Sequence, residues 1–67
     1  MHGAANTPMS IICENIRLYR KQLGLTQTEL AEKLYVTSQT ISKWEKGISL
    51  PTLDNIIALS EIFSTSI

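Results

Sequence analysis

Two helix-start signals in the middle of the chain constrain its fold more than any other feature. Thr26-x-x-Glu29 has the spacing of a capping box, in which each side chain satisfies a backbone N–H of the first helical turn. Thr37 is placed to cap a second helix, and about three residues separate the two predicted helices. The sequence thus predicts two short helices, about eight and nine residues long, joined by a very short turn.

Helix one is predicted to begin at Pro8, because proline favours the first helical position, with Thr7 or Ser10 as its cap. Gly24 suits the left-handed residue that ends a helix. Apolar residues at steps of four, three and four predict the buried face of helix one: Ile12, Ile16, Tyr19 and Leu23.

The later helices are predicted in the same way. Helix two is expected to bury Leu30, Ala31 and Leu34, and helix three to bury Ile41 and Trp44. Gly47 is predicted to end helix three, and Thr52 to cap helix four with Asp54 in its first turn. Along helix four run Leu53, Ile56, Ile57, Leu59, Ser60 and Phe63. Ser64-Thr65-Ser66 is predicted to be a turn or a fresh cap. With no strand pattern, the expected class is all-α, with four to five short helices.

Composition excludes several classes of protein. The 67 residues contain one cysteine, Cys13, so neither a disulfide nor a zinc cluster can stabilise the chain, and a reducing compartment is expected. No apolar run approaches the roughly 20 residues that span a bilayer. One histidine, His2, assembles no catalytic triad, so we expect no enzymatic activity, no cofactor and no metal. Residues 1–8 are interpreted as a flexible arm or expression-derived residues, and 9–67 as one domain.

The exposed face of helix three points to a function. At about 100° per residue, five polar side chains fall in one sector opposite Ile41 and Trp44. These are Ser38, Ser42, Lys46, Gln39 and Lys43. Glutamine can pair with adenine, lysine can reach guanine, and serine can serve several bases. The tight helix pair, about residues 26–46, therefore predicts a helix-turn-helix unit whose second helix, 37–46, enters a DNA major groove.

Residues 16–67 resemble the phage repressor and Cro type of helix-turn-helix domain, the XRE family, which implies a lambda-repressor-like helical bundle. The resemblance covers about three quarters of the chain at fixed spacing. It rests on Ile16-Arg17-Leu18-Tyr19-Arg20-Lys21, Gly24-Leu25-Thr26-Gln27-x-Glu29-Leu30-Ala31, Val36-Thr37-x-x-Thr40-Ile41-Ser42-Lys43-Trp44-Glu45-x-Gly47 and Pro51-Thr52-Leu53.

The resemblance implies roles for single positions. Gln27 would bind a phosphate and brace the second helix of the unit. Base edges would be contacted by Thr37, Ser38, Gln39 and Lys43. The DNA phosphates would be contacted by Gln27, Arg20, Ser42 and Lys46. Arg20 and Glu45 form an ion pair between helices one and three in many members, which is a competing, structural role for Arg20.

The function implied is that of a sequence-specific transcriptional regulator of double-stranded DNA. It would be a cytoplasmic, nucleoid-associated repressor that binds a two-fold symmetric operator as a homodimer. Two alternatives stay open: an antitoxin-type autoregulator with a protein partner bound beyond residue 67, and a protein-interaction module that kept the fold without DNA binding.

Two departures from the family pattern matter. Family members often have glycine where this chain has Tyr35, and a left-handed side chain there would cost about 1–2 kcal/mol. Either the turn differs slightly, or Tyr35 packs or touches a phosphate. Family domains also carry a fifth helix after the segment matching Ser66-Ile67, so we expect a domain truncated before a C-terminal partner or dimerisation region.

Charge is distributed unevenly although the net charge is zero. Residues 10–50 carry a net charge of +2 and residues 51–67 a net charge of −2. The half that contains the predicted recognition helix is therefore mildly basic. With few charges to neutralise phosphates, we expect weak non-specific DNA affinity and a shallow salt dependence per monomer.

Overall fold

The computed structural model describes residues 8–65, which form four helices and no strand. In chain order these are α1 (Pro8–Gln22), α2 (Gln27–Leu34), α3 (Ser38–Lys46) and α4 (Leu53–Thr65). The predicted all-α class is confirmed over these residues. The fifth helix expected after Ser66-Ile67 lies outside the described residues.

Helix starts follow the capping signals of the sequence. Thr26 and Glu29 form the predicted capping box: the Thr26 N–H donates to Glu29 Oε1 at 2.8 Å, and the Glu29 N–H donates to Thr26 Oγ1 at 3.0 Å. Thr37 caps α3 by accepting from the Thr40 N–H at 3.2 Å. Thr52 Oγ1 accepts from the N–H of residue 55 at 3.3 Å at the start of α4.

The cap predicted for α1 needs a correction. The helix begins at Pro8, as expected, so Ser10 lies inside the first turn and cannot be the N-cap. The alternative cap, Thr7, lies outside the described residues. At the other end of the chain, Ser64-Thr65-Ser66 is predicted to form a turn or a fresh cap. Ser64 and Thr65 instead belong to α4, which continues to Thr65, and Ser66 lies outside the described residues.

The ends of α1, α2 and α3 share one backbone pattern, the Schellman motif. A residue with positive φ stands just beyond each helix: Gly24 at 72°, Tyr35 at 59° and Gly47 at 75°. The N–H of the following residue donates to a carbonyl five positions earlier, at 3.1, 3.0 and 2.9 Å: Leu25 to Arg20, Val36 to Ala31 and Ile48 to Lys43. Tyr35 is therefore left-handed, and the steric cost anticipated from the sequence applies.

The core lies where the four helices meet. Leu30 of α2 and Ile41 of α3 are fully buried, and each such side chain contributes about 1.5–3 kcal/mol on burial. The core cluster consists of Ile16, Leu30, Ala31, Leu34, Ile41, Trp44 and Leu59. The buried faces predicted for α2 and α3 are confirmed.

The inner face of α1 is rotated from the predicted stripe. Cys13, Ile16 and Arg20 are the buried positions, whereas Tyr19 is 41% exposed. The reason is that α1 packs mainly against α3, and residues 13, 16 and 20 face that helix at steps of three and four. Tyr19 turns instead toward α4, where its ring centroid lies 5.3 Å from that of Phe63.

Helix α4 buries less of its apolar face than the sequence suggests. Leu59 is 4% exposed, but Leu53 and Ile57 are 71% and 49% exposed. Between α1 and α4 an open groove of about 430 Å³ is lined largely by apolar side chains, including Ile12, Ile16, Tyr19, Ile56 and Phe63. None of the helices described is both long and apolar enough to cross a membrane.

Candidate nucleic-acid interface

Helix α3 has one buried side and one open side. Ile41 and Trp44 are 0% and 3% exposed and anchor the helix to the core. The outer face of α3, defined here as Ser38, Gln39, Ser42, Lys43 and Lys46, points away from it. Gln39, Lys43 and Lys46 are exposed, while both serines are half-buried. The five polar residues grouped from the helical period therefore share one accessible surface in the folded chain.

Thr37 lies at the edge of this face, and its hydroxyl is already hydrogen-bonded to Thr40. Its Oγ1 accepts from the Thr40 N–H at 3.2 Å and lies 2.9 Å from Thr40 Oγ1. A base contact from Thr37 would share that hydroxyl with the helix cap. Thr40 is thus a neighbour that the sequence argument missed. Its position three residues after the cap is the signal that could have found it.

An ion pair fixes α3 against α1. The Arg20 Nε donates to Glu45 Oε2 at 2.7 Å, and Arg20 Nη2 donates to Glu45 Oε1 at 3.2 Å. Arg20 Nη1 donates to the Leu25 carbonyl at 2.8 Å. Arg20 is 8% exposed, and each of its three guanidinium nitrogens has a partner. The geometry therefore favours the structural role of Arg20 over a phosphate contact.

Helix α2 reaches the same carboxylate. The Gln27 Nε2 donates to Glu45 Oε1 at 3.1 Å, so Glu45 receives hydrogen bonds from both α1 and α2. This contact holds the first residue of α2 against α3, in keeping with the bracing role implied for Gln27. Its phosphate contact stays a prediction. The sequence does not indicate that Leu25 accepts a hydrogen bond from Arg20, because the acceptor is a backbone carbonyl, which every residue has.

The outer face of α3 is positively charged, because the Glu45 carboxylate is buried away from it in hydrogen bonds. The side chain of Glu45 is 5% exposed, and both of its oxygens are engaged. Lys43 and Lys46 are the exposed charged residues of α3. The surface can thus donate hydrogen bonds and attract anions along one helix. Among the described residues, no group of three His, Cys, Asp or Glu side chains could hold a metal ion.

Comparison with known proteins identifies the class. A sequence profile of the helix-turn-helix family matches residues 16–67, most of the chain. The chain belongs to this family, and the resemblance to XRE-type domains is confirmed.

Several curated proteins are similar to this chain over most of its length. The chain is 44% identical over 55 residues, 82% of its length, to the HTH-type transcriptional regulator DicA of Escherichia coli. It is 41% identical over 54 residues, 81% of its length, to the HTH-type transcriptional activator BcrR of Enterococcus faecalis. It is 36% identical over 53 residues, 79% of its length, to repressor protein C2 of Salmonella phage P22. The match spans 41%, 26% and 24% of these relatives, respectively.

Proposed function

We propose that this chain is the DNA-binding domain of a transcriptional regulator, and that the regulator is a repressor. The observation that carries the proposal is the outer face of α3. It is accessible, hydrogen-bonding and basic, and α3 is held in place by the ion pair between Arg20 and Glu45. Several relatives carry names of transcriptional regulators or repressors, which supports the same function.

The proposed contacts divide into two kinds. Gln39 and Lys43 are exposed, and with Ser38 and Thr37 they would read base edges in the major groove. Lys46, Ser42 and Gln27 would contact phosphates, which position the domain on the duplex without reading sequence. Arg20 is left out of the proposed DNA contacts because its guanidinium is buried and paired.

We also propose that the regulator acts as a homodimer in the cytoplasm, at the nucleoid when bound, and has no enzymatic activity. One helix of nine residues offers few base contacts, so a single domain discriminates weakly. Two copies on a symmetric operator place two recognition helices about one helical turn apart and combine their contacts.

The direct test is selection of sequences that this protein binds from a random pool of duplex DNA. We expect a two-fold symmetric consensus whose half-sites lie about 10 base pairs apart or a multiple of this. A reporter gene under that operator should then fall in expression when the protein is present. Failure to retain any duplex at low salt would contradict DNA binding and favour an interaction module.

A further inference from the structure

Three equivalent backbone positions in this fold do not carry equivalent residues. Gly24, Tyr35 and Gly47 are each the left-handed residue of a Schellman motif, with φ between 59° and 75°. A Cβ built on Gly24 meets no atom within 4 Å, so lack of space does not explain glycine there. The backbone conformation explains it, because a side chain is strained in the left-handed region. The backbone is therefore strained at Tyr35, whereas glycine avoids this strain at the two other positions.

Packing does not compensate for that strain. Tyr35 is 96% exposed, the highest value among the large hydrophobic residues whose side chains the structure describes. By comparison, Tyr19 is 41% exposed and pairs with the ring of Phe63. The anchoring of the turn comes from Val36, which is partly buried against the core and donates to the Ala31 carbonyl. The phenol of Tyr35 therefore contributes little to the stability of the turn.

Tyr35 is close in the chain to the proposed DNA surface. It lies in the turn between α2 and α3, two residues before the cap Thr37 and three before Ser38. The N-terminal end of the recognition helix is the part that approaches the bases in a helix-turn-helix complex, and DNA phosphates flank it. A phenolic O–H is among the side-chain groups that donate to phosphate oxygens.

We propose that Tyr35 is a further DNA-contacting residue, which donates its hydroxyl to a phosphate oxygen beside the groove that α3 enters. This inference rests on the proposed function. Strained, exposed side chains are retained where they act in binding, and an unpacked left-handed tyrosine beside a recognition helix fits that pattern. The contact adds affinity without sequence information, since every base pair presents the same phosphate.

The test compares Tyr35→Phe and Tyr35→Gly with the unchanged chain. Affinity is measured by fluorescence anisotropy on a labelled duplex recovered by selection with the unchanged chain, at one fixed salt concentration. Tyr35→Phe keeps the strain and loses the hydroxyl, so the Kd should rise about tenfold while the Tm stays the same. Tyr35→Gly should raise the Kd by at least as much and raise the Tm, because the strain is relieved.

The matched control is Tyr19→Phe, which removes the hydroxyl of the other tyrosine, at the groove between α1 and α4. Its Kd should stay within about twofold of the unchanged chain. If Tyr35→Phe also binds within twofold, the phosphate contact of the hydroxyl is overturned while the proposed function stands. If the unchanged chain binds no duplex, the proposed function fails and this inference fails with it.

Discussion

Arg20 and Glu45 stand 25 positions apart in the sequence, and in the fold the Arg20 Nε lies 2.7 Å from Glu45 Oε2. The second pair of atoms, Nη2 and Oε1, lies 3.2 Å apart, so the guanidinium binds the carboxylate through two hydrogen bonds. Because Gln27 donates to the same carboxylate, one contact point joins α1, α2 and α3. These three side chains add a polar contact between α3 and the two preceding helices to the core packing of Ile41 and Trp44.

Arg20→Met should destabilise the fold by about 3–5 kcal/mol, because Glu45 would stay buried without its partner. Trp44, the chain's one tryptophan and 3% exposed, reports unfolding in urea by fluorescence. The control is Arg17→Met, on the exposed side of the same helix, which should change stability by about 0.5 kcal/mol or less. The double variant Arg20→Met, Glu45→Leu should recover part of the loss, and equal losses for single and double variants would contradict the proposed coupling.

Thr26→Ala should lower the free energy of unfolding by about 1 kcal/mol, since it removes one half of the capping box of α2. DNA affinity measured well below the Tm should not change, because the Thr26 hydroxyl lies in an intrahelical bond. Thr26→Ser keeps the hydroxyl and serves as the control. A loss of affinity without a loss of stability would show that Thr26 itself contacts DNA.

Gln39→Ala together with Lys43→Ala should flatten sequence preference, because these are the exposed side chains proposed to read base edges. The measurement is competition between a selected duplex and a scrambled duplex. We expect their ratio of affinities to fall by at least tenfold. An unchanged ratio would show that α3 is not the reading helix.

Lys46→Ala should weaken binding to selected and scrambled duplexes by similar factors and reduce the salt slope by about one. The matched control is Lys33→Ala, which removes an exposed lysine of α2 that lies outside the outer face of α3. Because this lysine has no proposed phosphate contact, the salt slope of that variant should stay near that of the unchanged chain. Equal slopes for both variants would argue against a specific phosphate contact by Lys46.

Cys13 should react with iodoacetamide far more slowly in the folded chain than in urea. It is 5% exposed and lies close to Gly47, where a Cβ would come within 3.6 Å of its Sγ. Reaction then requires the fold to open, so its rate reports the opening equilibrium. The Thr26→Ala variant should react about fivefold faster, because a loss of about 1 kcal/mol raises the open population by that factor. Rapid labelling of the stable folded chain would contradict the buried position.

Local signals of the sequence predicted much of the fold. Caps at Thr26, Thr37 and Thr52 and the turns at Gly24 and Gly47 depend on residues within one or two helical turns, so they can be read without tertiary information. Helical period placed the five polar residues of α3 on one face. The burial of Trp44 and Ile41 on the other side turns that face outward.

Other features depended on packing between helices. Periodicity assigned Tyr19 to the buried stripe of α1, yet the crossing with α3 turned Arg20 inward instead, and no local pattern encodes that rotation. For α4 the apolar pattern overstated burial, because one side of the helix has no partner helix among the described residues. The roles proposed for Gln39 and Lys43 depend on contacts with a second molecule, which neither helical period nor packing within one chain encodes.

The three Schellman motifs also affect how fast the chain folds. The hydrogen bond of each motif joins residues five positions apart, so its formation costs little loop-closure entropy. Helices α2 and α3 can therefore pack together as soon as both have formed. Helical domains dominated by local contacts fold within about microseconds to milliseconds. A ribosome adds about 5–20 residues each second, so folding of these helices should keep pace with synthesis.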